Sequence, residues 1–168
     1  MFKKIGIRYR SKKAISKRNS SGAQLASPVQ AAGIVTTSDI AHSEDFKSFT
    51  DQLASRNIDL EILIFTQEKS EEIAANHFNK KDFNWSGKIK SEKVNKFIKT
   101  PFDFLFSINT SSNLQIENIL ALSKAKCRIG SKIDDLKNNL DFVIQLNDQD
   151  SVQDLTNNIL LYTENIHS

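Results

Sequence analysis

The feature that most constrains this chain is an alternation of short apolar runs with amphipathic stretches of helical period, joined by links of a few residues. Residues 32–37 (AGIVTT) form a short β-branched run and read as a first strand. Ser43 then suits a helix N-cap, with Glu44 and Asp45 placed in the first turn where the helix dipole favours acids. Phe46, Phe49 and Leu53 follow at i, i+3 and i+7, which lays them on one face, and Arg56-Asn57 closes the helix. Residues 60–66 (LEILIFT) make a second strand. A strand, a helix and a strand with links this short form a βαβ unit, so the two strands are expected to be parallel with a right-handed crossover.

The alternation continues. A short helix is expected over residues 70–78 and another over 91–99, the second carrying Val94, Phe97 and Ile98, with residues 83–89 as a loop between them. Pro101 stops that helix and hands over to residues 102–109 (FDFLFSIN), a third strand. Ser112-Asn113-Leu114-Gln115 has the S-x-x-Q form of a capping box, opening a helix with Leu114, Ile116, Ile119, Leu120 and Leu122 inward. Residues 126–130 and 140–146 supply a fourth and a fifth strand, their link being short enough to lack a full helix. Ser151-Val152-Gln153-Asp154 caps a last helix with a stripe of Val152, Leu155, Ile159, Tyr162 and Ile166. The expected fold is α/β and Rossmann-like: a mostly parallel sheet of about five strands, in the order 2-1-3-4-5, with helices on both faces. Residues 31–168 form this single domain, and residues 1–30 are a basic N-terminal arm and linker.

Charge separates the two regions. Residues 1–38 contain eight basic residues (Lys3, Lys4, Arg8, Arg10, Lys12, Lys13, Lys17 and Arg18) and no Asp or Glu, whereas residues 39–168 hold 15 basic and 20 acidic residues. A Ser/Gly/Ala/Gln-rich stretch, residues 19–32, has the composition of a flexible linker. Three roles suit such an arm. It is a solubilising tail, a membrane-surface or organelle address, or a contact for RNA or a ribonucleoprotein such as the ribosome. Gly6 interrupts any amphipathic helix early, while Phe2 and Tyr9 offer stacking surfaces among the charges. The leading expectation is an RNA-contacting, non-enzymatic binding protein.

Signatures of chemistry are missing. The loop after the first strand has no glycine, so the G-x-G-x-x-G that brings backbone close to a pyrophosphate is absent, and no Walker-type sequence occurs elsewhere. Gly33 and Gly130 stand alone and suit strand packing. The one cysteine, Cys127, permits no intramolecular disulfide, fits a cytoplasmic setting, and lies in a strand as a small hydrophobe. His42, His77 and His167 are isolated, and no metal-binding spacing exists. No catalytic residue, metal or cofactor is therefore expected. No apolar run approaches the roughly 18 residues of a membrane span, and no apolar block follows the first basic residues as a secretory signal requires.

In a doubly wound sheet, ligands bind where the strand order reverses, outside the carboxyl ends of the strands. Under the expected order that crevice is flanked by Ser38 and Asp39 after the first strand, with His42 nearby, and by Asn109, Thr110, Ser111 and Ser112 after the third. Helix N-termini there favour an anion, although the same residues also serve as caps. A small-molecule or anion-binding domain is thus the second reading. A protein-protein adaptor anchored by an exposed Phe83 and Trp85 is the third.

Residues 81–89 (KDFNWSGKI), 100–105 (TPFDFL) and 121–130 (ALSKAKCRIG) resemble an uncharacterised family of small proteins typical of the Bacteroidetes, a domain of unknown function. The resemblance covers about residues 30–165 and extends to the basic start; it implies a bacterial cytoplasmic setting and brings no catalytic residue. The run from residue 102 to 130 is also similar to the N-terminal Rossmann-like half of heptosyltransferase-type glycosyltransferases, where such a strand precedes a helix and an Ala-Lys-x-Arg-Ile-Gly strand. That likeness implies the fold, and, with no second domain for the sugar nucleotide, at most a degenerate transferase.

Overall fold

The structure, a computed structural model, describes residues 29–67, 76–133, 139–147 and 150–165. Its strands are β1 (Ala31–Thr37), β2 (Asp59–Phe65), β3 (His77–Phe78), β4 (Phe104–Ile108), β5 (Cys127–Ser131) and β6 (Phe142–Ile144). The helices are a single turn α1 (Ser38–Ala41), then α2 (Glu44–Ser55), α3 (Glu92–Lys99), α4 (Leu114–Leu122) and α5 (Val152–Asn165). All six strands are parallel, in the order β3-β2-β1-β4-β5-β6. The fold is Rossmann-like, with helices on both faces. The five expected strands keep their expected order, and β3 is added at the edge.

That edge strand corrects the expected helix over residues 70–78 at its end; residues 70–75 lie outside the described residues. The reason is the open edge of β2. Ile64 N–H donates to the Asn76 carbonyl and Thr66 N–H to that of Phe78, each at 2.9 Å. Phe78 meanwhile packs edge-on against Phe65 with ring centroids 5.4 Å apart. Pairing backbone groups that would otherwise be buried without partners outweighs local helical tendency.

The sheet divides the core in two. On one face α2 and α5 cover Ile34, Phe104, Phe106, Ile108 and Ile129; on the other α3 and α4 cover Val35, Leu63, Phe102 and Leu105. Alternate residues of a central strand point to opposite faces, which is why β4 is buried throughout and reads as a continuous apolar run. Gly33 answers to this packing. A Cβ there would stand 2.8 Å from the Phe102 ring, which lies over β1 in contact with Phe97.

Helix ends follow side-chain chemistry. Ser43 accepts from Phe46 N–H at 3.2 Å and opens α2 as expected, and Phe49 meets Phe106 edge-on. Asn57 adopts the left-handed conformation (φ 57°) that turns the chain into β2. The cap of α4 differs from expectation. Asn113, not Ser112, accepts from Gln115 and Ile116 N–H at 3.0 and 3.1 Å, because its carboxamide oxygen reaches two free amides at once. Ser112 instead donates to Glu117 Oε1 at 2.6 Å. In α5, Ser151 and Asp154 cap each other's amides, and Leu155 and Ile159 are buried. The expected stripe breaks at Tyr162, which is exposed; Thr163 is buried beside it because its hydroxyl donates back to the Ile159 carbonyl at 3.0 Å. Ile166 lies outside the described residues.

One polar side chain ties α4 to the sheet. Arg128, on β5, is 2% exposed. Its Nε donates to the Leu120 carbonyl at 2.9 Å, one Nη to the Ser123 carbonyl, and the other to Asp141 Oδ2 at 3.1 Å. The guanidinium therefore sits at the C-terminal end of α4, where unpaired carbonyls and the helix dipole favour a cation. Arg128→Ala is expected to lower unfolding free energy in urea by about 3 kcal/mol, with Arg128→Lys recovering only part, since a single ammonium cannot fork across three acceptors. A loss below about 1 kcal/mol for the alanine variant would show the network to be unimportant.

Candidate functional site

The strand order reverses between β1 and β4, and the register pairs Thr36 with Ile108. Ser38 and Asp39 therefore stand beside the loop of Asn109, Thr110, Ser111 and Ser112, at the carboxyl ends of adjacent strands. The six crevice candidates do come together, but several are already engaged. Ser38 is wound into α1, and its carbonyl accepts from His42 Nδ1–H at 2.5 Å. Ser112 is bound to Glu117, and the first amides of α4 are met by Asn113. Asn109 is 1% exposed; its Nδ2 donates to Ser107 Oγ at 2.9 Å and its carbonyl accepts from Ser131 Oγ at 2.6 Å. Its side-chain oxygen has no hydrogen-bond partner among the described residues. Asp39, Thr110 and Ser111 are exposed. The crevice can offer hydrogen bonds, and among the described residues no two carboxyls are arranged there as an acid–base pair.

Other candidates settle as follows. Among the described residues no group of three His, Cys, Asp or Glu side chains is placed to hold a metal ion. No helix among them is long and apolar enough to cross a membrane. Cys127 is fully buried, and burial, then the Asp141 carboxylate, pushes its thiol up to about 12. A thiol so held is neutral near pH 7 and a poor nucleophile. His77 bonds Asn76 through Nδ1, and His167 lies outside the described residues. Of the two aromatic anchors, Phe83 is buried against Phe78 rather than exposed, whereas Trp85 is 76% exposed.

The arm itself, with Lys3, Lys4, Arg8, Arg10, Lys12, Lys13, Lys17 and Arg18, lies outside the described residues. Its root does not. Gln30 and Ala31 N–H donate to Asp103 Oδ2 at 2.8 and 3.1 Å, while Lys126 Nζ donates to Oδ1 at 2.7 Å. Burial pushes the Asp103 carboxyl up, but the Lys126 hydrogen bond and then the two amides outweigh it and hold the group below its ordinary range. Because β1 spans seven residues, the arm leaves the body about 20 Å from the crevice, at the opposite end of the sheet.

A second charged feature escaped the reading of the sequence. Between α3 and the last residue of α4 runs an open groove of about 830 Å³, lined by Lys88, Lys96 and Lys99 together with Glu92. Residues 79–100 hold seven lysines and two acids. The signal was present but masked by the acidic balance of the body as a whole. On the opposite helical layer, the open depression along α2 is lined by Glu44, Asp51 and Lys47.

Residues 3–166 match a family of unknown function, DUF6913. The chain belongs to that family. No curated protein and no solved structure matches it. The DUF6913 match takes in most of the basic arm as well as the α/β body.

Asp103 makes the arm–body junction sensitive to acid. A carboxyl lowered in the folded state contributes stability that is complete above its unfolded value of about 4 and is lost as pH falls through the lower folded value. Asp103→Asn is expected to cost about 1–3 kcal/mol at pH 7 and to flatten the fall in stability below about pH 4. Urea melts at a series of pH values check this; parallel wild-type and variant curves would contradict it.

Proposed function

We propose that this DUF6913 chain is a non-enzymatic RNA-binding protein whose basic arm engages RNA or an RNA-containing assembly, with the α/β body as its scaffold. One observation carries the reading: residues 1–38 hold eight basic residues and no acid, joined to a body with more acids than bases. Closely spaced Lys and Arg neutralise phosphates and release counterions, giving tight but salt-dependent binding. Phe2 and Tyr9 supply faces for unpaired bases. The pinned root at Asp103 adds support, because it gives the arm a fixed point of departure well away from the crevice. The resemblance to Bacteroidetes proteins makes a bacterial cytoplasm, with its ribosomes, the setting we favour.

The crevice supports a second reading, a small-molecule or anion site or a degenerate transferase-like remnant. The observation in its favour is the buried, unpartnered side-chain oxygen of Asn109, since such a group ordinarily finds a partner. A thermal-shift panel of nucleotides, sugar nucleotides and phosphate separates the two readings: stabilisation abolished by Asp39→Ala favours the crevice.

For the RNA reading, the eight arm residues are changed together to glutamine in the full chain. Binding to single-stranded RNA is then followed by fluorescence anisotropy across a salt series. The expected result is a loss of about six from the slope of log affinity against log salt, eight contacts contributing about 0.7 each. Equal affinity and slope for wild type and variant, or no salt-sensitive binding by the wild type, would overturn it.

A further inference from the structure

The lysine groove lies on the folded body and is not accounted for by the arm. We infer that it is a second RNA contact, taking a single-stranded segment whose phosphates run along Lys88, Lys96 and Lys99 and one of whose bases stacks on Trp85. This deepens the RNA reading of the arm and rests on it.

The turn that carries Trp85 is built to present it. Phe83 and Ile89 pair as an antiparallel bridge and are both buried, which fixes the base of the turn to the core. Above them Asn84 N–H donates to the Lys88 carbonyl at 2.9 Å. The Asn84 side-chain oxygen accepts from Ser86 and Lys88 N–H at 3.0 and 2.8 Å. Gly87 takes the left-handed conformation (φ 78°) that lets the chain close. A turn so tightly bonded would be expected to hide its indole, yet Trp85 is 76% exposed. It is a large, sequence-tolerant stacking face held on a rigid mount.

The charges continue from that turn. Lys88 closes it and also lines the groove, so the indole and the first ammonium belong to one short segment. Lys96 and Lys99 stand three residues apart on α3 and so share a face. Asn95 Nδ2 donates to the Ile89 and Ser91 carbonyls and locks α3 against the turn, fixing the two sources of charge relative to each other. None of the three lysines makes an ion pair with a described residue, and Glu92 offsets only one of them. Three ammoniums without an ion pair among the described residues, along one open groove, suit a chain of phosphates.

The arm and the groove also share an end of the body. Thr100 lines the groove, and three residues later Asp103 holds the arm's root at Gln30.

The test uses the full chain with its arm intact and a fluorescent oligouridine of about a dozen nucleotides. A Lys88→Gln, Lys96→Gln, Lys99→Gln variant is expected to lose about two from the salt slope. Trp85→Ala is expected to weaken binding about tenfold with the slope unchanged. Trp85 is the chain's single tryptophan, so quenching of wild-type fluorescence by the oligouridine reports stacking directly. Urea midpoints equal to wild type confirm that the variants fold. If both variants keep wild-type affinity and slope while the arm variant loses them, the groove proposal falls and the arm reading stands. If the wild-type chain does not bind the RNA, both fall. Loss of binding to phosphatidylserine vesicles in the groove variants, with RNA binding unaltered, would assign the surface to membranes and overturn the proposal.

Discussion

A buried carboxylate, Asp103, holds together the amino ends of three neighbouring strands, and the positions of the arm's root and of the crevice follow from it. One oxygen takes the amides of Gln30 and Ala31 at the start of β1, and the other takes Lys126 just before β5. Its own backbone bonds Ala31 on one side and Cys127 on the other. These contacts set the register in which β1 lies beside β4, and that register in turn brings Thr36 level with Ile108 at the far end. The same carboxylate therefore defines where the arm leaves the body and where the switch-point crevice forms. Because the strands are parallel, those two places lie at opposite ends of the sheet.

The two helical layers differ in charge as well as position. The layer of α2 and α5 presents Glu44, Asp51, Asp154 and Glu164, with Arg56 paired to Glu164. The layer of α3 and α4 presents the lysines of the groove. The folded body, with 15 basic and 20 acidic residues over 39–168, in this way carries one basic face and one more acidic face. The rigid connection between α4 and the sheet through Arg128 keeps the groove's far wall in place, since Leu122 at its foot lies between the two carbonyls that the guanidinium holds.

Much of the fold was legible because its strands carry short continuous apolar runs, as in LEILIFT and FDFLFSIN, and because Ser43 and Ser151 cap helices through short, local geometry. What was not legible depends on contacts between distant residues. The edge strand at His77 and Phe78 exists because β2 has an open edge, which no local pattern reports. Asn113 won the cap of α4 over Ser112 because Ser112 found Glu117. Arg128 looked like one charged residue inside a strand, and its burial needed the end of α4 and Asp141 to be seen together. The strand order that puts the two crevice loops at adjacent strand ends was legible, while several of the crevice side chains are spent on the fold. The groove lysines were visible in composition but scattered between a turn and a helix, which the shared core of Ile89, Val94 and Ile98 and the bonds of Asn95 bring side by side.

The most direct test of the account is ultraviolet cross-linking of the full-length chain to RNA inside cells, followed by mass-spectrometric mapping of the joined peptides. The account predicts cross-links within residues 1–18 and within residues 84–99, all removed by RNase treatment before irradiation. Cross-links confined to the loop of Thr110, Ser111 and Ser112, or none above the RNase-treated control, would contradict it.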